Sequence, residues 1–292
     1  MSSWNGIDEF IAVATTNSFK RAAKLVGMSP THVSRAIMAL EQRVQSQLFH
    51  RTTRTVRLTD TGRVFFDRCL RIAQERDEAI ALIAEQDAPQ GELRVTCSTA
   101  MGELFVAPII RRFAMPHPKL NVTIDLSNHI VDLVAEGYDL GIRTGTISDP
   151  RLIATQVASR RLFTCAAPSY LARAGTPHSV ADLATHECIT GTSSTWHFAH
   201  DGKTDLHRPG GRFRCNSGRA VIEACIAGMG ICQLPDFYIL PYLKRGMVIR
   251  VLDDYQVEDE PIWAVYPQRR HLVPKVQQVV DCLRRELAQA MR

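Results

Sequence analysis

The chain has 292 residues, 45% of them hydrophobic, and a net charge of +5. That is enough apolar material for more than one core, because single cores stop growing near this length. No basic N-terminal segment leads into an unbroken apolar run and no stretch of about 18 apolar residues occurs, so the composition points to a cytoplasmic protein and excludes a membrane partner.

The positive charge is local. Residues 18 to 71 hold 11 Lys and Arg against 3 Asp and Glu, a surplus of 8, while the remainder of the chain is net negative by 3. A patch of this kind on a small region is the electrostatic footprint of a nucleic-acid binder. Within it, Ile7, Phe10, Ile11 and Ala14 recur at helical spacing, and Phe19, Ala22, Ala23 and Val26 repeat the stripe after a cap at Asn17-Ser18. Gly27 suits the left-handed end of that second helix, and Ser29 followed by Pro30 suits the cap and first turn of a third. Val33, Ile37, Leu40 and Val44 line one face of the third helix, leaving Thr31, Ser34, Arg35, Met38 and Gln42 on or near the other. Two small alanines, a sharp turn and an outward-aimed helix are the construction of a helix-turn-helix. The exposed side chains near the start of the third helix, Ser29, Pro30, Thr31, His32, Ser34, Arg35 and Met38, are therefore candidates for double-stranded DNA, with arginine able to grip guanine in bidentate fashion.

"LFHRTTRTVRLTDTG", residues 48 to 62, alternates like a short β-hairpin, a wing whose Arg51, Thr53, Arg54 and Arg57 can reach phosphates or a narrow minor groove. Thr59-Asp60 opens a further helix that runs to about Gln86 without proline. Phe65, Cys69, Ile72, Ala79 and Ile83 give it an apolar stripe, which predicts pairing of two chains and an inverted-repeat target.

Ala88-Pro89-Gln90-Gly91 ends that helix, and short apolar strands then alternate with helices. "LRVTC" (93–97), "LNVTIDL" (120–126) and "YDLGIR" (138–143) read as strands, with helices around 101–114 and 130–136. "RLFTCAAP" leads to a second group containing "CITGTS", a helix over 218–227, "GICQLP" and "MVIRVL", followed by "IWAVYP" and a closing helix with Val276, Val279, Val280, Leu283 and Leu287 on one face. Ligands of open α/β sheets sit beyond strand carboxyl ends, where helix N-termini offer N–H groups to anions. The candidates are Ser98, Thr99, Ala100 and Met101 in "CSTAM", Arg143 and Thr146 in "RTGT", Ser193 and Thr195 in "TSSTW", and Ser217 in "CNSGR". Trp196 and Phe237 read as core residues first.

"SFKRAAKLVGMSPTHVSRAIMALEQRV", "LFHRTTRTVRLTDTG", "GELRVTCSTAMGELFVAPIIRRF", "YDLGIRTG", "AGMGICQLPDF" and "YPQRRHLVPKVQQVVDCL" together resemble the LysR-type transcriptional regulators over essentially the whole chain. The resemblance implies an α/β protein overall. Its expected parts are a winged helix-turn-helix (1–58), a linker and dimerisation helix (59–88) and a two-lobed effector domain similar to periplasmic-binding proteins (92–292). Lobe I is expected at 92–163 and 266–292 and lobe II at 164–265, joined by two crossing connections around a cleft. The resemblance also implies a homodimer that assembles to a homotetramer, promoter DNA as target, a small-molecule effector of anionic character, contact with RNA polymerase, and no cofactor. Met28 and His32 fall where the recognition helix varies among members, so no operator sequence is carried over.

Enzyme and metal readings are weaker. "WHFAHDG" sets His197, His200, Asp201 and His207 close together, but a surface hairpin accounts for that segment better than a metal site. Gly228-Met229-Gly230 precedes a strand, which fails the dinucleotide fingerprint, and no Walker or G-x-S-x-G pattern occurs. Asp253-Asp254 and Glu258-Asp259-Glu260 read as solvated charge. The eight cysteines contain no C-x-x-C pair; reduced, mostly buried thiols fit this better than a disulfide framework, with a redox role for Cys215, Cys225 and Cys232 left open. A solute-binding protein would explain residues 92–292 alone and would need an export signal. A fused catalytic domain would need a nucleophile or an acid/base pair in the cleft.

Overall fold

The computed structural model describes residues 4–51, 56–83, 88–270 and 273–292. The chain divides into two compact units, Met1–Gln86 and Asp87–Arg292.

In the first unit, α1 (Ile7–Thr16), α2 (Phe19–Leu25) and α3 (Pro30–Val44) are followed by the antiparallel strands β1 (Phe49–Arg51) and β2 (Val56–Leu58) and by α4 (Asp60–Ile83). Local chemistry sets each break. The Ser18 hydroxyl caps α2 by accepting from Arg21 N at 3.3 Å. Gly27 takes φ +67°, and beyond it Met28 N donates back to Ala23 O at 2.9 Å, so the chain reverses where only glycine does so without strain. Ser29 then caps α3 by accepting from His32 N at 3.1 Å, with Pro30 in the first turn. Val33, Ile37 and Leu40 are fully buried, joined by Phe10, Ala22, Ala23, Leu48 and Phe49. Phe10 stands 5.3 Å from both Phe49 and Phe65, so one ring ties α1 to the wing and to α4. Each such burial contributes roughly 1.5–3 kcal/mol.

Two details depart from the sequence reading. Val44 is 36% exposed, because the buried stripe of α3 ends at Leu40 and the helix closes at Gln45 in a left-handed turn. On α4 the inward residues are Cys69 and Ala73, with Phe65 and Phe66 packed against the same core, whereas Ile72 and Ala79 face solvent along with Val64 and Ile80. The predicted stripe thus mixes two faces. The side chain of Ile83 lies outside the described residues.

The second unit holds two five-stranded sheets. Lobe I has β3 (Gly91–Cys97), a helical segment α5 (Thr99–Met101) that passes through a π-turn at Gly102–Val106 into α6 (Ala107–Ala114), then β4 (Leu120–Leu126), α7 (Leu133–Glu136), β5 (Leu140–Thr144) and β6 (Leu152–Arg160). Lobe II has β7 (Leu162–Ala166), α8 (Pro168–Ala174), β8 (Cys188–Thr190), the hairpin β9 (Trp196–His200) and β10 (Lys203–His207), β11 (Phe213–Arg214), α9 (Gly218–Ile226), β12 (Ile231–Pro235), α10 (Asp236–Leu243) and β13 (Ile249–Arg250). The chain then returns through β14 (Glu260–Pro267) and closes with α11 (Pro274–Ala290). The sheet orders are β4-β3-β5-β14-β6 and β11-β8-β12-β7-β13.

Because β14 bonds to β5 and β6 in antiparallel register from Glu260 onward, the lobes exchange between Arg160 and Leu162 and again just before Glu260. The expected lobe limits of 163/164 and 265/266 are corrected accordingly: residues 260–265 lie in the lobe I sheet, and β7 starts lobe II. The helix expected over 130–136 shrinks to α7, which Asp132 caps by accepting from Val134 N and Ala135 N. The "MVIRVL" strand shrinks to two residues, and β6, nine residues long, went unread. The five apolar positions of α11 are buried as expected.

Candidate functional site

α3 presents two unlike faces. Opposite its buried stripe, Thr31, His32, Arg35 and Met38 are exposed and Ser34 is half-buried. Arg35 has no ion pair or hydrogen bond among the described residues, so its five donors stay available. His32 is engaged, its Nε2 3.3 Å from Glu9 Oε1. Ser29 and Pro30 set the helix start, and the Ser29 hydroxyl is committed to its cap. In the wing Arg57 is exposed, opposite His50 in register. Thr53 and Arg54 lie outside the described residues, as does the side chain of Arg51. Lys20, Arg21 and Lys24 are exposed on α2; they were counted in the charge surplus but not singled out as contacts, although their place on the solvent face of α2 was readable from its period.

In the second unit a cavity of about 540 Å3 opens between the lobes. Ser98 and Met101 line it from the β3–α5 junction, Arg143 from the end of β5, and Ser193 and Thr195 from the loop before β9. Four expected residues do not line it. Thr99 and Ala100 are inside the first turn, where the Thr99 N–H donates to Asn128 Oδ1 at 3.1 Å. Thr146 is exposed past the turn at Gly145, and Ser217 spends its hydroxyl capping α9.

The lining residues that sequence reading missed come from connections and crossing strands: Asn128, Thr144, Arg160, Asn216, Gln233 and Glu260. Asn128 bridges the lobes, since its amide donates to Asn216 O at 2.7 Å. Gln233 joins β12 to β9 by exchanging hydrogen bonds with the His197 backbone, both at 3.0 Å. Trp196 is 2% exposed and belongs to the lobe II core with an edge on the cavity. Phe237 packs edge-on against Phe105 of lobe I, centroids 5.4 Å apart.

Two arginines face this cavity in different states. Arg160 on β6 is matched by Glu260 of β14, Nε to Oε2 2.7 Å, and also donates to Thr144 Oγ1 at 3.1 Å, which clamps the two crossing strands together. Arg143 is half-buried and donates to Thr96 O and Thr96 Oγ1, both at 3.3 Å, but meets no carboxylate among the described residues. Burial pushes its pKa down from the ordinary value. A guanidinium kept in such a site favours an anion that completes its pairing.

The histidine-rich segment is a hairpin, turned at Asp201 and Gly202 with φ +49° and +75°, the pairing of left-handed residues that such two-residue turns require. His200 Nε2 stands 3.6 Å from Asp201 Oδ2, but His197, His200, Asp201 and His207 form no ligand group among the described residues. The group with ligand-like spacing among the described residues is Cys165, Cys225 and Cys232. Cys215, half-buried, is not part of it.

Residues 4–63 match the bacterial regulatory helix-turn-helix proteins of the lysR family, and residues 86–288 match the LysR substrate binding domain. The chain belongs to the LysR family of transcriptional regulators. It is a regulator with a helix-turn-helix DNA-binding domain and a substrate-binding effector domain. An HTH-type transcriptional regulator of Haemophilus influenzae is 31% identical, covering 94% of this chain and 98% of its own. The HTH-type transcriptional activator AaeR of Escherichia coli is 30% identical, over 94% of this chain and 90% of its own. Among solved structures, the LysR-type regulator CrgA of Neisseria meningitidis is 30% identical with a TM-score of 0.60, over 98% of this chain and 99% of its own. LysR regulators bind promoter DNA and small-molecule effectors and form oligomers. No helix among the described residues is long and apolar enough to cross a membrane.

Proposed function

We propose that α3 enters the major groove of promoter DNA and reads bases through Thr31, Arg35 and Met38. Ser29 and Pro30 fix its approach, and Ser34 and His32 contact DNA at the margin once His32 leaves Glu9. Arg57, with Arg51, Thr53 and Arg54, holds phosphate or the minor groove beside it. The exposed Val64, Ile72 and Ile80 of α4 support pairing with a second chain, which would set two recognition helices on an inverted repeat. Assembly of that homodimer to a tetramer, contact with RNA polymerase and a cytoplasmic location are parts of the same reading, which family membership supports. The partition into a DNA-binding head, a linker helix and a two-lobed effector domain is read in the same way.

The effector is a small organic anion held between the lobes. One observation carries this: Arg143 is half-buried at the cavity with no carboxylate partner among the described residues, while its neighbour Arg160 is already neutralised by Glu260. Ser98, Ser193 and Thr195 supply hydroxyls around the same space. Calorimetric titration with a panel of small carboxylates and their neutral amides tests it. Carboxylate binding that Arg143→Ala weakens by about ten- to a hundredfold is the expected result; equal binding of the amides would sink the anionic assignment.

A further inference from the structure

The core of lobe II brings three thiols together. Cys165 on β7 and Cys232 on β12 sit directly opposite each other in antiparallel register, Sγ to Sγ 3.6 Å. Cys225 comes from α9, which packs over that sheet, and its Sγ lies 3.5 Å from Cys165 O. All three sulfurs fall within 4.8 Å of one another and none is exposed. No histidine, aspartate or glutamate joins the group among the described residues; its surroundings are Phe163, Ile189, Val221, Ile222 and Leu234.

This donor set is selective. Soft thiolates take soft ions, and zinc completes a tetrahedron with a fourth ligand that this core does not offer. Three sulfurs on a pyramidal centre at bonds of about 2.3 Å, its angles held to roughly 95–100° by a lone pair, stand about 3.4–3.5 Å apart, and the Cys165–Cys232 pair already stands at 3.6 Å. An apolar core also penalises net charge. Three thiolates around a monovalent or divalent cation leave an anion, whereas around a trivalent centre they leave none.

We propose that Cys165, Cys225 and Cys232 form a binding site for a trivalent thiophilic metalloid, arsenic(III) or antimony(III). For arsenic the step is a ligand exchange without redox change. Arsenous acid, As(OH)3, exchanges its three hydroxyls for three sulfurs; each thiol proton leaves with one hydroxyl, so three As–S bonds form and three waters depart. The sulfurs are sealed, so entry follows local opening of lobe II and uptake is read at equilibrium. Occupancy ties β7, β12 and α9 at one point. Gln233, next to Cys232, and Gly218, at the start of α9, both line the cavity.

The test is native mass spectrometry of the full-length reduced protein equilibrated with arsenite. One adduct is expected, heavier by one arsenic and lighter by three hydrogens. Cys165→Ala, Cys225→Ala and Cys232→Ala each weaken uptake about tenfold or more, whereas Cys188→Ala and Cys215→Ala leave it unchanged. Circular dichroism and operator binding show that each variant is folded; should one fail to fold, the wild-type mass decides. No adduct, an adduct that displaces fewer hydrogens, an adduct that moves with Cys188 or Cys215, or zinc binding as tight as arsenite each overturns the proposal.

Discussion

The outward face of α3 and the cleft of the second unit each present an arginine without a carboxylate partner among the described residues, and they reach that state by opposite routes. Arg35 lies on one 15-residue helix whose cap, proline and buried stripe are all local, and it stands in water. Arg143 ends β5, in a wall shared by segments from Ser98 to Ile262, and is half-buried. A unit charge 4 Å away is worth about 1 kcal/mol in bulk water and about 4 kcal/mol at the effective dielectric of a protein site. The surface arginine therefore gains most by choosing geometry, as in bidentate recognition of a base, and the cleft arginine gains most by choosing charge.

The contrast can be broken in four ways, from the largest effect to the smallest. Ile37→Ala opens a cavity beneath α3 and is expected to destabilise the first unit by about 2–5 kcal/mol. Denaturant titration followed by fluorescence reads that loss, and effector titration of the same variant stays at the wild-type value; parallel loss of effector binding would erase the distinction between the two regions. Arg143→Ala removes a charged hydrogen-bonding partner, so affinity for an anionic effector falls by about ten- to a hundredfold, or 1.5–3 kcal/mol. Operator binding without effector is unchanged, as a gel-shift series checks.

Arg35→Ala is expected to lose about 1–3 kcal/mol of discrimination at a single operator position. Arg57→Ala instead weakens all sequences alike and lowers the salt slope by about one. Selection from randomised duplexes separates the two; a uniform loss for Arg35→Ala would mean that it holds phosphate. The smallest effect is remote from both sites. Asp182 accepts from His178 N at 2.8 Å and Ser179 N at 2.9 Å, which keeps its pKa below 3.8. A carboxylate depressed in the folded state stabilises it above the ordinary carboxylate range and loses that contribution as pH falls below 3.8. Asp182→Asn is thus less thermostable than wild type at pH 7, and the gap in melting temperature closes in acid.

The sequence was most readable where one short segment determines an element. Ser18, Gly27, Ser29 and Pro30 each act on neighbours within a few residues, so the helix breaks could be placed from the chain alone. Val33, Ile37 and Leu40 announce their face by period. The stripe on α4 misled because a helix with two apolar faces, one on its own domain and one outward, spreads Phe65, Cys69, Ile72 and Ala79 round the cylinder. The cleft was readable in part. Ser98 and Arg143 follow from lying at strand ends, but Glu260 and Arg160 become neighbours only when two strands more than 90 residues apart pair in register, and nothing local to either signals it. Thr99 and Ser217 do not line the cavity: the Ser217 hydroxyl caps α9, and Thr99 lies in the first turn with its backbone N–H on Asn128.

The rim bond from Asn128 to Asn216 has a consequence for how the lobes part. On one side of the cavity the polypeptide itself crosses twice, braced by Arg160 and Glu260. Elsewhere the lobes meet through the neutral amide contact of Asn128 and through the ring contact of Phe105 with Phe237. A bond of that kind contributes about 0.5–1.5 kcal/mol, a factor of about two to twelve between latched and unlatched forms. A latch of that strength adds little to the closed form, and a molecule that takes over either end of it can hold the door in whichever position it prefers.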